Sequence, residues 1–339
     1  MLPEKIKQIL EKMHYIVVGN SSAVQVCKYT KKSIKGEEGC WKEKFYGIES
    51  HRCCQMSPCV MNCENSCLHC WRPIEYNLGK TMKKSDVDDP KTILDAVVQA
   101  RKKLLTGHKG DEKVSKKRFQ EAIEPTLFTL SLSGEPTIYP RLPELIKEIR
   151  KRGAISFIVS NGQNPEMIKK LEKQKALPTQ LTISMNAPNK ELFQVWHNSK
   201  NRDAWKKFNQ TLDIIKKLKT KTRRAIRLTL VKELPSGDKL NKITNMSDKH
   251  VVEYAKLIQK ADPDFIHVKG FKSLGYSRAR LGYDKQPFHT EMRVFTRKLL
   301  EELQKWDKDW KIQGQVNRSC VFLLSRLSKK DLKIKKEQI

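Results

Sequence analysis

Three cysteines within eight residues, in the run Cys63-Glu-Asn-Ser-Cys67-Leu-His-Cys70, constrain this chain more than any other feature. Thiolates are soft ligands that suit iron–sulfur centres, and three on one short loop can hold three corners of a cubane cluster. Three ligands for four irons leave one iron open to a small molecule. The competing reading is a structural zinc site, which takes four protein ligands, often as two C-x2-C knuckles. Cys67 and Cys70 form the one C-x2-C pair in the chain, so the ligand count favours the cluster.

The remaining thiols bear on where such a protein works. Nine cysteines occur in 339 residues, eight of them between Cys27 and Cys70, with Cys320 the ninth. Clustering at one end of a long, charged chain argues for metal chemistry over a secreted disulfide scaffold. Residues 1–13 are charged and amphipathic, without the apolar core of a signal peptide. No run approaches the roughly eighteen apolar residues of a membrane span. A cytoplasmic protein with reduced thiols and no membrane partner is expected. The 68 basic and 38 acidic side chains give a formal net charge of +30. Charge of that size on an enzyme-sized chain fits a polyanion, because neutralised phosphates release condensed counterions. The basic runs at 113–118, 216–224, 278–280 and 329–336 each read as solvated surface, but their sum points to nucleic acid.

Beyond residue 55, short β-branched or apolar runs alternate with helical patterns, the signature of a parallel α/β sheet. Strands are expected at 56–61, 127–132, 155–159, 181–185, 226–231 and 265–268. Helices are expected near 91–105, 142–151, 165–173, 203–218 and 249–260. Pro90 suits a first helical position after Asp89, and Asp248 is positioned to cap the last of these helices. Six βα units are too few for a closed eight-stranded barrel. They imply an open partial (βα)6 barrel with its site at the C-terminal strand ends. The chain then divides into a cysteine-bearing N-terminal extension (1–55), the partial barrel (56–289) and a C-terminal extension (290–339). The last part contains a further helix, a short strand and a basic tail expected to be partly disordered.

Short polar motifs follow successive strands. Ser133-Gly134-Glu135-Pro136-Thr137 comes after the second, and its glycine lets main chain approach a ligand closely. Ser160-Asn161-Gly162 closes the third strand, Ser184-Met-Asn186 the fourth, and Thr229 lies on the fifth. Singly, each reads equally well as a turn or cap. With the cysteine loop, their succession resembles the radical SAM superfamily. That resemblance implies that Cys63, Cys67 and Cys70 hold a [4Fe–4S] cluster whose open iron binds S-adenosylmethionine. It further implies that Gly134, Glu135 and Pro136 bind the amino end of that molecule. Ser160, Asn161, Ser184, Asn186 and Thr229 suit its ribose hydroxyls and carboxylate.

A second cysteine set, Cys27, Cys40 and Cys53, follows an interval of 13 residues that no zinc-finger grammar uses. Read alone, these residues are structural thiols, zinc ligands or a second cluster site. Their surroundings narrow the resemblance to one family. Tyr15-Ile-Val-Val-Gly19, Cys40-Trp-Lys42, His51-Arg-Cys53, Cys70-Trp-Arg-Pro73 and Val268-Lys-Gly-Phe through Arg278-Ala-Arg280 closely resemble archaeal 4-demethylwyosine synthases. The resemblance covers the chain from about residue 15 to residue 306. It implies a second [4Fe–4S] cluster on Cys27, Cys40 and Cys53, and a pyruvate-binding lysine at Lys42. It also implies condensation of pyruvate with N1-methylguanosine beside the anticodon of tRNA-Phe, by a radical mechanism. A lysine forms a Schiff base with a keto acid once its amine is deprotonated. A competing route within the family places pyruvate on the open iron of the second cluster.

The chain departs from the family pattern in three places. His69 precedes Cys70 where an aromatic residue is usual, although an imidazole still covers a neighbouring ring. Cys54 and Cys59 are extra thiols, and Cys54 leaves the third ligand of the second set ambiguous by one residue. No flavodoxin-like segment precedes the core, so a separate electron donor such as a flavodoxin or ferredoxin is expected, acting on a monomer. Arg278 and Arg280 are candidates for phosphate contacts. Two other classes stay open: a radical SAM enzyme with an auxiliary cluster that modifies a peptide or small molecule, and a non-catalytic metal protein that binds nucleic acid.

Overall fold

Strands that are apolar on both faces must be covered on both faces, and the computed structural model, which describes residues 1–233 and 244–339, shows how this is done. The strands are β1 (Ile16–Val18), β2 (Ser22–Gln25), β3 (Cys53–Ser57), β4 (Leu127–Leu130), β5 (Ile155–Ser160), β6 (Gln180–Ser184), β7 (Arg223–Leu230), β8 (Phe265–Gly270), β9 (Lys311–Val316) and β10 (Val321–Ser325). They form one sheet in the order β1-β2-β3-β4-β5-β6-β7-β8-β10-β9. β3 through β8 are parallel neighbours, giving the open half-barrel of six strands. Antiparallel hairpins occupy both edges, β1–β2 against β3 and β9–β10 against β8. The first parallel strand therefore starts three residues before position 56, and it stops at Pro58, which has no N–H for a ladder. The single strand expected near the C-terminus is a hairpin.

The helices are α1 (Glu4–Lys12), α2 (Lys28–Ile34), α3 (Trp41–Tyr46), α4 (Pro90–Thr106), α5 (Lys116–Ile123), α6 (Leu142–Lys151), α7 (Pro165–Lys173), α8 (Lys190–His197), α9 (Ala204–Lys217), α10 (Lys249–Ala261), α11 (Ser277–Leu281) and α12 (His289–Gln304). Pro90 is the first residue of α4, and the Asp89 carboxylate accepts the Thr92 N–H at 3.1 Å. Asn164 and Asn189 cap α7 and α8 in the same way. Asp248 does not cap α10: its backbone is already helical, and its carboxylate meets Lys298 at 2.5 Å on α12. No helix among the described residues is long and apolar enough to cross a membrane.

The two faces of the sheet build two different cores. Ile93, Ile146, Ile168, Phe208, Ile258 and Leu299 on the outer helices pack against Phe128, Ile158, Leu181, Ile226 and Val268. On the concave face, Trp41, Phe45 and Tyr46 of α3 pack against Leu127, Ile155, Phe157, Ala225 and Phe265. Those partners lie at or near the N-terminal ends of their strands. α3 thus plugs the half-barrel from below, opposite the end where the strands deliver their polar motifs. The basic tail was expected to be partly disordered; instead it packs beneath this plug. Leu332 is buried, the Ile334 N–H donates to the Tyr46 carbonyl at 3.0 Å, and Arg223 donates to the Leu332 carbonyl at 2.7 Å.

Candidate active site

The loop after β3 carries Cys63, Cys67 and Cys70 across the C-terminal ends of the strands and is pinned from three directions. The N–H groups of Ser66 and Leu68 donate to the carbonyls of His197 and Trp196 at the end of α8, at 2.8 and 3.1 Å. Cys67 Sγ lies 3.0 Å from His197 Nδ1, and the His69 ring stacks on Trp196 at 5.3 Å and 12°. Asn161 Nδ2 reaches Cys63 Sγ at 3.6 Å and Glu64 at 3.0 Å. From α11, Arg280 donates Nε to the Leu68 carbonyl at 3.2 Å and Nη2 to the carbonyls of Cys70 and Arg72, while Nη1 pairs with Glu75. Arg280 is therefore engaged with the loop and not free for a phosphate, whereas Arg278 stays exposed. Because the planar fork of arginine serves several carbonyls at once, Arg280→Lys should not rescue Arg280→Met. Both variants are expected to lower reductive cleavage of S-adenosylmethionine about 10- to 100-fold, with partial iron loss, read by 5′-deoxyadenosine release and iron analysis.

The strand-end motifs surround this loop. Gly134 has φ +72°, and a Cβ there would lie 2.3 Å from the Cys59 carbonyl and 2.7 Å from that of Asn62. The next residue, Glu135, donates its N–H to Asn62 O at 2.7 Å. Its buried side chain accepts from Thr137 Oγ1 and from the Asn161 N–H, both at 2.7 Å. Burial, then the nearby Glu64, push the Glu135 carboxyl up to about 7. Pro136 opens a buried 3-10 turn over 136–138. Ser160 spends its hydroxyl on the Gly162 N–H at 3.0 Å. Ser184 Oγ accepts from Arg227 Nη2 at 3.0 Å, and Asn186 accepts the Thr229 N–H at 3.1 Å while its amide lies 3.3 Å from His69 Nε2. The structure thus brings Glu135, Asn161, Asn186 and Thr229 into one contact series around the cysteine loop. Pro136 is left in an internal turn, and Ser160, besides accepting the Gly162 N–H, lies beside the Glu135 carboxyl.

The second cysteine set converges from three elements below. Cys27 precedes α2 and accepts the Thr30 N–H at 3.4 Å. Cys40 precedes α3, and Ser50 Oγ accepts the Cys40 N–H at 2.7 Å. Cys53 begins β3 and lies 3.5 Å from Thr129 Oγ1. Burial pushes the Cys40 thiol up to about 11, Lys42 opposes, and Cys27 and Cys53 raise it further. Burial likewise raises Cys53 against the pull of Lys42. The pleat of β3 separates the two adjacent thiols: Cys53 meets the concave core, while Cys54 is buried in the outer core and pushed up to about 12. Cys59 donates to the Glu135 carbonyl at 3.0 Å, and Cys320 is buried near Pro287. All nine cysteines are free thiols. Two sets of three soft donors suit iron–sulfur clusters better than four-ligand zinc.

Between the two sets lies a polar floor of which sequence reasoning singled out Thr229 but gave no role to Arg227, His267 or Lys269. Arg227 on β7 is in register with His267 on β8, and Thr229 with Lys269. Their neighbours Ile226, Leu228, Ile266 and Val268 face the outer core, so these four face inward. Burial holds Arg227 down to about 10, with Cys70 opposing. Burial, then Arg227, hold Lys269 down to about 8, and Cys40 and Lys42 are also among its charged neighbours. Lys42 sits over the Phe157 ring at 5.3 Å. The alternation Arg227-Leu-Thr229 and His267-Val-Lys269 carried the signal, since every second strand residue shares a face. Nothing in the local sequence around Trp196-His197 marked their contacts with the loop.

Comparison with known proteins identifies the family. The profile of the radical SAM superfamily matches residues 58–238, and that for wyosine base formation matches 260–326. The S-adenosyl-L-methionine-dependent tRNA 4-demethylwyosine synthase of Pyrococcus abyssi is 39% identical over 325 residues, 96% of this chain and 90% of the relative. That of Methanocaldococcus jannaschii is 34% identical, over 97% of this chain and 98% of its own. A solved structure of TYW1 with a lysine-pyruvate adduct bound has a TM-score of 0.78 at 32% identity, over 99% of both chains. The chain belongs to the S-adenosylmethionine-dependent tRNA 4-demethylwyosine synthases of the radical SAM superfamily.

Proposed function

We propose that this enzyme condenses pyruvate with N1-methylguanosine beside the anticodon of tRNA-Phe, using one [4Fe–4S] cluster on Cys63, Cys67 and Cys70 and a second on Cys27, Cys40 and Cys53. The observation that carries this reading is the position of Lys42. It stands two residues after Cys40 on α3, which is packed inside the half-barrel and faces the floor between the two thiol sets. When bound, the first cluster supplies the electron that turns S-adenosylmethionine into the hydrogen-abstracting radical source for the N1-methyl group. The chain's own part is placement. Gly134 and Glu135 hold the methionine end against the cysteine loop, while Asn161, Asn186 and Thr229 lie beside the same loop for the ribose and carboxylate. Lys42 takes pyruvate as a Schiff base, releasing water from the carbonyl, and the walls of the half-barrel keep solvent from the radical. The similar TYW1 structure carries a lysine-pyruvate adduct, which supports a lysine rather than an open iron as the pyruvate anchor. A stacked base hides its methyl group, so the target nucleotide leaves its stack to reach the site. The electron comes from a separate donor such as a flavodoxin or ferredoxin, and the enzyme works as a cytoplasmic monomer.

The test is an iron count after anaerobic reconstitution, in wild type and in the Cys27→Ala/Cys40→Ala/Cys53→Ala variant. About eight irons per chain should fall to about four, with reductive cleavage of S-adenosylmethionine retained. Equal iron in the two proteins would remove the second cluster and this reading with it.

A further inference from the structure

We infer that Lys269 is the carboxylate-binding residue of the keto-acid site, so that the enzyme selects a 2-oxo acid by its charge as well as by its carbonyl. The inference rests on Lys42 as the lysine that takes the carbonyl. The β7–β8 register sets Lys269 level with Thr229 and one inward step above the Arg227–His267 pair. Lys42 approaches the same floor from α3: it lies 6.0 Å from the Trp41 ring, which in turn is 4.8 Å from the His267 ring. Three cationic side chains, Lys42, Arg227 and Lys269, thus converge on one side of the sheet. None of them makes a salt bridge with a carboxylate among the described residues.

Buried donors on the same floor are also unanswered. Arg227 Nε and His267 Nδ1 are buried without a hydrogen-bond partner. His267 Nε2 is bonded to the Tyr46 hydroxyl. Burial keeps that imidazole neutral, and with the Tyr46 hydroxyl as the donor to Nε2 the hydrogen lies on the unpartnered Nδ1. A buried donor without an acceptor is costly, and a cationic floor with such donors is built for an anion that arrives from outside. A 2-oxo acid matches it. Its carbonyl carbon can reach one amine while its carboxylate, on the adjacent carbon, pairs with a second. Arg227 also borders Cys70, so the carboxylate of S-adenosylmethionine is the other anion of this chemistry nearby.

The experiment uses full-length, cluster-reconstituted wild type, Lys269→Met and Lys269→Arg. Borohydride trapping of pyruvate and of its uncharged methyl ester is followed by mass spectrometry across concentration, alongside equilibrium binding of radiolabelled pyruvate and of S-adenosylmethionine. Wild type should favour pyruvate over the ester. Lys269→Met should need about 10- to 100-fold more pyruvate, with the ester unchanged, and Lys269→Arg should recover part of the loss. An unchanged acid-to-ester ratio in Lys269→Met overturns the inference, whether or not iron is lost; with iron lost, Lys269 is a counter-charge for the second cluster. Weakened S-adenosylmethionine binding with pyruvate unaffected overturns it too. If pyruvate binding depends on Lys269 but no adduct forms at Lys42, the carbonyl assignment fails and the carboxylate site stands.

Discussion

Lys42→Ala should lower formation of the wyosine precursor by at least about 1000-fold and abolish borohydride-trapped pyruvate, while reductive cleavage of S-adenosylmethionine continues. The separation follows from the layout. Lys42 approaches from below on α3, whereas the loop of Cys63, Cys67 and Cys70 is held by α8, α11 and the β5 end. Alanine has the best helix propensity, and α3 is anchored by Trp41, Phe45 and Tyr46, so the plug should stay folded. Lys42→Arg keeps the positive charge but cannot form an imine, and should be as inactive as alanine. Product is measured in hydrolysed tRNA by chromatography, and cleavage by 5′-deoxyadenosine. Lys42→Ala within tenfold of wild type would move pyruvate to another anchor, such as the open iron of the second cluster.

Gly134→Val strikes the other side of the chemistry. At φ +72° any side chain is strained, and this Cβ would enter the space of two backbone carbonyls, Cys59 O at 2.3 Å and Asn62 O at 2.7 Å. Neither can rotate away, because the chain between them leads into Cys63. The variant should lose about 3 kcal/mol of stability. Its iron should fall by about half, and cleavage of S-adenosylmethionine should drop at least about 1000-fold, since the first cluster loop can no longer close against β4. Gly134→Ala should show the same pattern with a smaller stability loss. Thermal unfolding, iron analysis and 5′-deoxyadenosine release read the three effects. Wild-type cleavage by Gly134→Val would mean that this turn does not shape the site.

The strands and helices of the half-barrel were readable because each is a local pattern. α6 and α7 fall on their expected bounds, and the parallel strands differ from expectation by a few residues at their ends. Asp248 shows the limit of such reading. A cap residue must have non-helical backbone, whereas Asp248 is already helical and its exposed carboxylate lies against Lys298 on a packed neighbour. Arg280 is similar: its sequence neighbours suggested an exposed basic patch, but its hydrogen bonds reach back more than 200 residues to the cysteine loop.

By itself, the sequence determined the order of βα units, the three-thiol loop, and the succession of polar motifs at the strand ends, because spacing along a strand or loop dictates which side chains share a face. Only the tertiary structure decided that α3 enters the half-barrel from below and that Arg227, His267 and Lys269 form the floor between the two thiol sets. Those contacts join segments as distant as Tyr46 and His267, which are 221 residues apart. No local period encodes them; they follow from burying the aromatic face of a six-residue helix in a concave sheet that the remainder of the chain must first build.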